Sequence, residues 1–376
     1  MTMEPAADLL ADPAAEHGEY FADGHRFGRF AIREFLCATG ASAAYRAREM
    51  GAAREAVLKV YTPRFSGVPG LANYVRTVAQ RDHADLAHPN LAQFFRAGVS
   101  ASRIFIARAY TAGGSAQDRL NAGESFSVPE VLAIVRDLAQ ALHYLHARGV
   151  VHRNIKPSNI LFGDDGRAML ADAGLRPLLE AANQTYLASG VLLQSRAYQA
   201  QEQLAAKGAT PQSDIFSLAA SLYTLLTRMP PFEAEEPRAL LEEQLVGAPP
   251  SARRHVPAVP AEMDALLQRA MDFAPGRRPQ SIKAFATELG IEIGAPAAVV
   301  PVVETEGPGN EEKIAIRGRP PKKLPERAHA PRVRIGDQFA RLTIRSRIAF
   351  TPIATIFRAS DSADKRQVVF KILGPD

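Results

Sequence analysis

Along this chain the spacing of apolar residues changes from that of strands to that of helices. Residues 27–62 alternate as strands do, and Ala56-Val57-Leu58-Lys59-Val60-Tyr61 is a short apolar run with one lysine inside it. Residues 72–86 read as a helix and Arg103–Ala107 as a further strand. From Pro129 the period lengthens: Val131, Val135, Leu138, Leu142 and Leu145 are spaced 4, 3, 4 and 3, which puts them on one helix face. Ile215–Leu226 is apolar on most sides, so that helix is expected inside the core of its lobe. Strands first and long helices afterwards predict an α+β chain with a small β-rich lobe and a larger helical lobe.

Charge is unevenly placed. The net charge is +5, but residues 312–334 carry eight Lys/Arg against two Glu, so the rest of the chain is close to neutral. A general polyanion-binding surface is therefore not expected of the folded part. The opening segment is acidic up to Arg26, and residues 1–26 read as a disordered tail. Residues 291–335, with prolines at 296, 301, 308, 320, 321, 325 and 331, read as a basic linker. No apolar run approaches the ~18 residues of a membrane span, and the N-terminus lacks a secretory layout. The single cysteine, Cys37, cannot form an internal disulfide; it reads as a small loop residue, and a cytoplasmic location is expected.

After the linker the chain repeats itself. Residues 336–375 align without gaps on residues 24–63, with twelve of forty positions identical, among them Phe27/Phe339, Ile32/Ile344, Arg46/Arg358 and Lys59/Lys371. Residues 336–376 therefore read as the first three strands of a second copy.

Between residues 27 and 290 six motifs follow in order. Val151-His152-Arg153-Asn154-Ile155-Lys156-Pro157-Ser158-Asn159-Ile160-Leu161 resembles the catalytic loop of eukaryotic-like serine/threonine protein kinases. Asp172-Ala173-Gly174 resembles the magnesium-binding D-F-G of that family, and Ala200-Gln201-Glu202 its A-P-E. Lys59, the segment opening at Ser213-Asp214, and Arg278-Pro279 match three further signatures at family spacing. The resemblance implies the bilobal protein-kinase fold. It implies that Lys59 grips the α- and β-phosphates of ATP, and that Asn159 and Asp172 hold Mg²⁺ through hard oxygens. Lys156 is implied to neutralise the moving phosphoryl group, Ser195 to brace the catalytic loop, and Gly40 and Ser42 to cover the phosphates. Glu202 and Arg278 are implied to pair. Lys156 with Ser195 points to the Ser/Thr branch.

The departures bear on activity. Asn154 stands where the family has its catalytic aspartate; it is nearly isosteric but neutral and cannot take the substrate proton, and such a base is worth ~10²–10⁴-fold. Ala79 falls where the helix glutamate that holds Lys59 is expected, with Asp82 and Asp85 the nearby acids. The phosphate-covering loop, Cys37-Ala38-Thr39-Gly40-Ala41-Ser42, keeps one glycine. Ala173 replaces the D-F-G phenylalanine, and Ala109, preceded by Arg108, stands at the hinge glutamate. His152 reads as a core histidine, since no Cys/His spacing suggests zinc. Thr185, Tyr186 and Ser189 are phosphorylation candidates or plain polar loop residues.

Two function classes follow from this resemblance. One is a pseudokinase that binds ATP and serves as a regulatory or scaffolding module. The other is an active or feeble Ser/Thr kinase. A third class, a DNA-tethered regulator, rests on Arg317-Gly318-Arg319-Pro320 with Lys322-Lys323, which resembles the AT-hook; a basic proline-rich tether is the plainer reading. The sequence names no protein partner or substrate.

Overall fold

The computed structural model describes residues 20–39, 41–68, 71–75, 86–173, 193–205, 207–234, 237–246 and 249–294, and the strands between residues 338 and 373. Gly40, Ala79, Asp82, Asp85, Gly174, Thr185, Tyr186, Ser189 and the Arg317–Lys323 segment lie outside the described residues. The chain divides into two units, Met1–Val299 and Val300–Asp376.

In the first unit six strands form one sheet: β1 (Arg26–Phe27), β2 (Phe30–Ala38), β3 (Ser42–Glu49), β4 (Arg54–Tyr61), β5 (Phe94–Ser100) and β6 (Arg103–Ala109). Their order is β1-β2-β3-β4-β6-β5, antiparallel throughout. The alternation that predicted strands puts Ile32, Tyr45, Ala47, Leu58 and Val60 into an apolar cluster with Phe27, Phe30 and Phe105. Tyr20 and Phe21, assigned to the tail by charge, pack against it: Tyr20 lies 4.7 Å from Phe35 and Phe21 5.3 Å from Tyr45, ring centre to ring centre. Aromatic burial at these two positions outweighs the acidic composition of the segment. Cys37 lies on strand β2, exposed, and is not a loop residue.

Two short helices, α1 (Pro63–Ser66) and α2 (Leu71–Tyr74), pack on the sheet, and the rest of the unit is mainly helical: α3 (Ala116–Asn121), α4 (Val128–Ala147), α5 (Gln201–Leu204), α6 (Pro211–Thr227), α7 (Pro237–Val246), α8 (Ala261–Ala270) and α9 (Ile282–Glu288). α4 starts at a capping box, with the Ser127 hydroxyl accepting from the Glu130 main-chain amide and the Glu130 carboxylate accepting from the Ser127 main-chain amide. Its predicted stripe, Val131, Val135, Leu138, Leu142 and Leu145, is buried. α6 is buried on every side from Ser213 to Leu226, as expected of a helix apolar on most sides. A short hairpin, β7 (Ile160–Phe162) with β8 (Ala168–Leu170), lies between α4 and α5 in the chain. This is the bilobal α+β protein-kinase fold.

The second unit is a four-stranded antiparallel sheet: β9 (Gln338–Phe339), β10 (Leu342–Thr351), β11 (Ala354–Asp361) and β12 (Gln367–Leu373). The short β9 makes it one strand larger than the three expected. Its register matches the first sheet residue for residue: Ile32 pairs with Ala47 and Ile344 with Ala359, while Ala44 pairs with Lys59 and Ile356 with Lys371. Both sheets carry irregularities at equivalent points, Ile32/Glu34 and Phe35/Cys37 in one, Ile344/Ser346 and Arg347/Ala349 in the other.

Candidate active site

Three local structures build the site. β4, an interior strand, presents Lys59. The loop after α4 carries His152 to Asn159 and ends in a 3-10 turn, Pro157–Asn159, that leads into β7. The residues after β8 carry Asp172 and Ala173.

Lys59 Nζ lies 3.2 Å from Asp172 Oδ2. Burial penalises both charges, but each stabilises the other. Against its burial, the charges of Lys59 and Arg108 hold the Asp172 carboxyl down at about 2. Burial alone would lower Lys59; the Tyr61 phenol, as it ionises, and the Asp172 carboxylate, by charge and by hydrogen bond, push it up instead. Both groups are therefore charged at neutral pH. Asp172 adopts a left-handed backbone, φ +62°, and so does Arg153, φ +67°. Non-glycine residues rarely occupy this region, and its strain is held where surrounding bonds over-determine it.

At Arg153 those bonds come from Asp214 on α6. Its buried carboxylate accepts from the main-chain amides of His152 at 2.8 Å and Arg153 at 2.7 Å, and pairs with His146 Nε2 at 2.8 Å. The loop's shape is thus fixed by its backbone. Asn154 is buried; its amide donates to His152 Nδ1 at 3.3 Å and its carbonyl accepts from Asn159 Nδ2 at 2.8 Å. His152 is fully buried, and that burial lowers its pKa; its Nε2 has no hydrogen-bond partner among the described residues.

Glu202 and Arg278 meet as predicted by the resemblance, with Arg278 donating to the two carboxylate oxygens at 2.7 and 3.1 Å. Three carbonyls, of Asp272, Gln212 and Phe273, take further N–H groups of the guanidinium, and Ser213 donates to Glu202 at 2.6 Å. The Ser42 hydroxyl is buried and lies 3.3 Å from Thr39 Oγ1 inside the β2–β3 turn. Lys156 is half-buried, and its charge reaches Cys37, as do those of Lys59 and Arg108. Ser195 falls in the 3-10 turn Leu193–Tyr198, with its side chain outside the described residues.

The residues suit a divalent metal. Asn159 spends its amide N–H₂ on Asn154, which leaves its carbonyl oxygen as a ligand, and Asp172 is ionised. Two protein oxygens completed by phosphate and water are the usual donor set of Mg²⁺. Sequence reasoning missed what two neighbours do: His146, which pairs with Asp214, and Arg108, which lines a small cavity with Asp172, Ala173, Leu91, Phe94 and Ile106. Arg108 lies two places from Ile106, just past the end of the strand predicted at 103–107, and that spacing was the available signal.

A family model described as protein kinase domain matches residues 41–289. The chain belongs to the protein kinase family. Its kinase domain is similar to the serine/threonine-protein kinase PknJ of Mycobacterium tuberculosis, 34% identical over 270 residues, covering 70% of this chain and 45% of that protein. The tyrosine-protein kinase MasK of Myxococcus xanthus is 30% identical over 314 residues, covering 78% of this chain and 48% of MasK. The chain thus spans about half the length of these relatives. Among solved structures, the Mycobacterium tuberculosis PknI kinase domain superposes with a TM-score of 0.57 at 25% identity, over 72% of this chain and 98% of that one. No described helix is long and apolar enough to cross a membrane.

Proposed function

We propose that the kinase domain binds ATP or ADP and transfers phosphoryl groups very slowly or not at all, acting as a regulatory or scaffolding pseudokinase of the Ser/Thr type. The observation that carries this reading is Asn154. The loop around it keeps the strained, Asp214-anchored backbone, so residue 154 is presented by an intact frame while lacking charge. An asparagine carbonyl still accepts a hydrogen bond from a substrate hydroxyl and orients it. It cannot hold the proton released as that oxygen attacks. Lys59 supplies a point charge for phosphates. Asn159 and Asp172 are the residues that would hold Mg²⁺, which neutralises phosphate charge when bound.

A second reading, a feeble but real Ser/Thr kinase, is favoured by the charged Lys59–Asp172 pair and the complete Glu202–Arg278 pair. Asn154→Asp separates the two. With the base as the dominant defect, the substitution is expected to raise autophosphorylation or transfer to a generic protein by about 10²-fold or more. A revertant that stays inert moves the defect to the Ala79 position and the glycine-poor loop. Robust turnover by the unsubstituted chain, lost on Lys59→Ala, overturns the pseudokinase reading.

A further inference from the structure

β6 pairs with β4 so that Ile106 faces Lys59 and Arg108 faces Val57. Directly paired residues share a face of the sheet, and so do residues two apart along a strand. Lys59 and Arg108 therefore project from the same face, the one beneath which Asp172 meets Lys59. Arg108 lines one cavity with Asp172, and the other walls, Leu91, Phe94, Ile106 and Ala173, are apolar. Ala173 offers a methyl where the family motif has a phenylalanine, which leaves room for the long arginine. The guanidinium donates to the Ala109 carbonyl at 3.2 Å. Half-buried, it keeps its charge, since arginine does not lose its proton in proteins.

We propose that Arg108 acts as a built-in cation at Asp172, competing with a divalent metal for that carboxylate and making nucleotide binding by this domain largely independent of metal. Two cations, Lys59 and Arg108, bear on one carboxylate, and Lys59 is in hydrogen-bond contact with it. A divalent ion entering this group meets two like charges before it reaches its ligand. Nucleotide phosphates meet the same two charges as attraction. In a low-dielectric cleft both interactions are stronger than in water, so exchanging metal for arginine lowers the metal's affinity and keeps the phosphates neutralised. Arg108 is thus a positioning and selectivity residue for the nucleotide site, and the proposal rests on the reading of the cleft as such a site.

The test is ADP affinity of the full chain by calorimetry, in excess Mg²⁺ and in chelator. For the unsubstituted chain the two affinities are expected to agree within about threefold. Arg108→Met fits the apolar cavity and removes the charge; in chelator it is expected to weaken ADP by about tenfold, and Mg²⁺ restores the loss. Arg108→Gln serves the same purpose if the methionine variant is poorly folded, and Arg108→Lys, which keeps the charge, retains the metal-independent behaviour. If the unsubstituted chain binds ADP only with Mg²⁺, or if the neutral variants keep its Mg²⁺-to-chelator ratio, the role of Arg108 is overturned while the nucleotide-site reading stands. Absence of ADP binding in every condition overturns both.

Discussion

Lys59 and Asp172 are 113 residues apart in sequence and 3.2 Å apart in the cleft. Each was legible from its motif, because spacing to the catalytic loop and to Asp172 carries the family pattern. Their electrostatic surroundings were not. Arg108 acts on Asp172 through space, from a strand position that no short motif marks. The pair makes stability depend on acid. The folded Asp172 carboxyl is held at about 2, below the usual value for an unfolded aspartate. Its contribution is therefore present above about pH 4 and disappears as the pH falls towards 2. Thermal melts across this range are expected to fall more steeply for the unsubstituted chain than for Asp172→Asn. At neutral pH that variant is expected to be less stable, on the order of 2 kcal/mol. Parallel pH curves for the two proteins would count against the ion pair.

The long helices were readable because period and length agree: α4 shows its stripe over about four turns, and α6 is apolar on most sides. The strands β5, β7 and β8 were not assigned. β7 and β8 have three residues each, too few for a period to emerge. β5 contains Gly98, where an added Cβ would lie 3.0 Å from the Phe105 ring, so its glycine reflects a close approach between strands that the sequence does not display. Ties between elements were legible only where the family motifs mark them, and Glu202–Arg278 is the strongest. It joins α5 to the turn before α9, with both partners buried. Removing one member leaves the other charge buried without its partner. Arg278→Ala is expected to cost about 3–5 kcal/mol in denaturant unfolding. A double variant with Glu202→Gln is expected to cost less than the sum of the two singles. Additive losses would mean that the two side chains act independently.

At the scale of the whole chain the sequence repeat predicted a second set of strands, and the second sheet follows the register of the first down to its irregularities. The sequence could not say what covers that sheet. A meander without a lower lobe beneath it buries little apolar surface and is marginal in water. Amide exchange across residues 338–373 in dilute solution is accordingly expected to be fast compared with that of α6; slow exchange would require a covering surface. One asymmetry between the sheets has a further effect. β4 is hydrogen-bonded on both sides, by β3 and β6, whereas β12 is bonded on one side only among the described residues. An extended strand arriving on the other side of β12 completes that ladder as β6 does for β4, so whatever pairs there decides how the second sheet is finished.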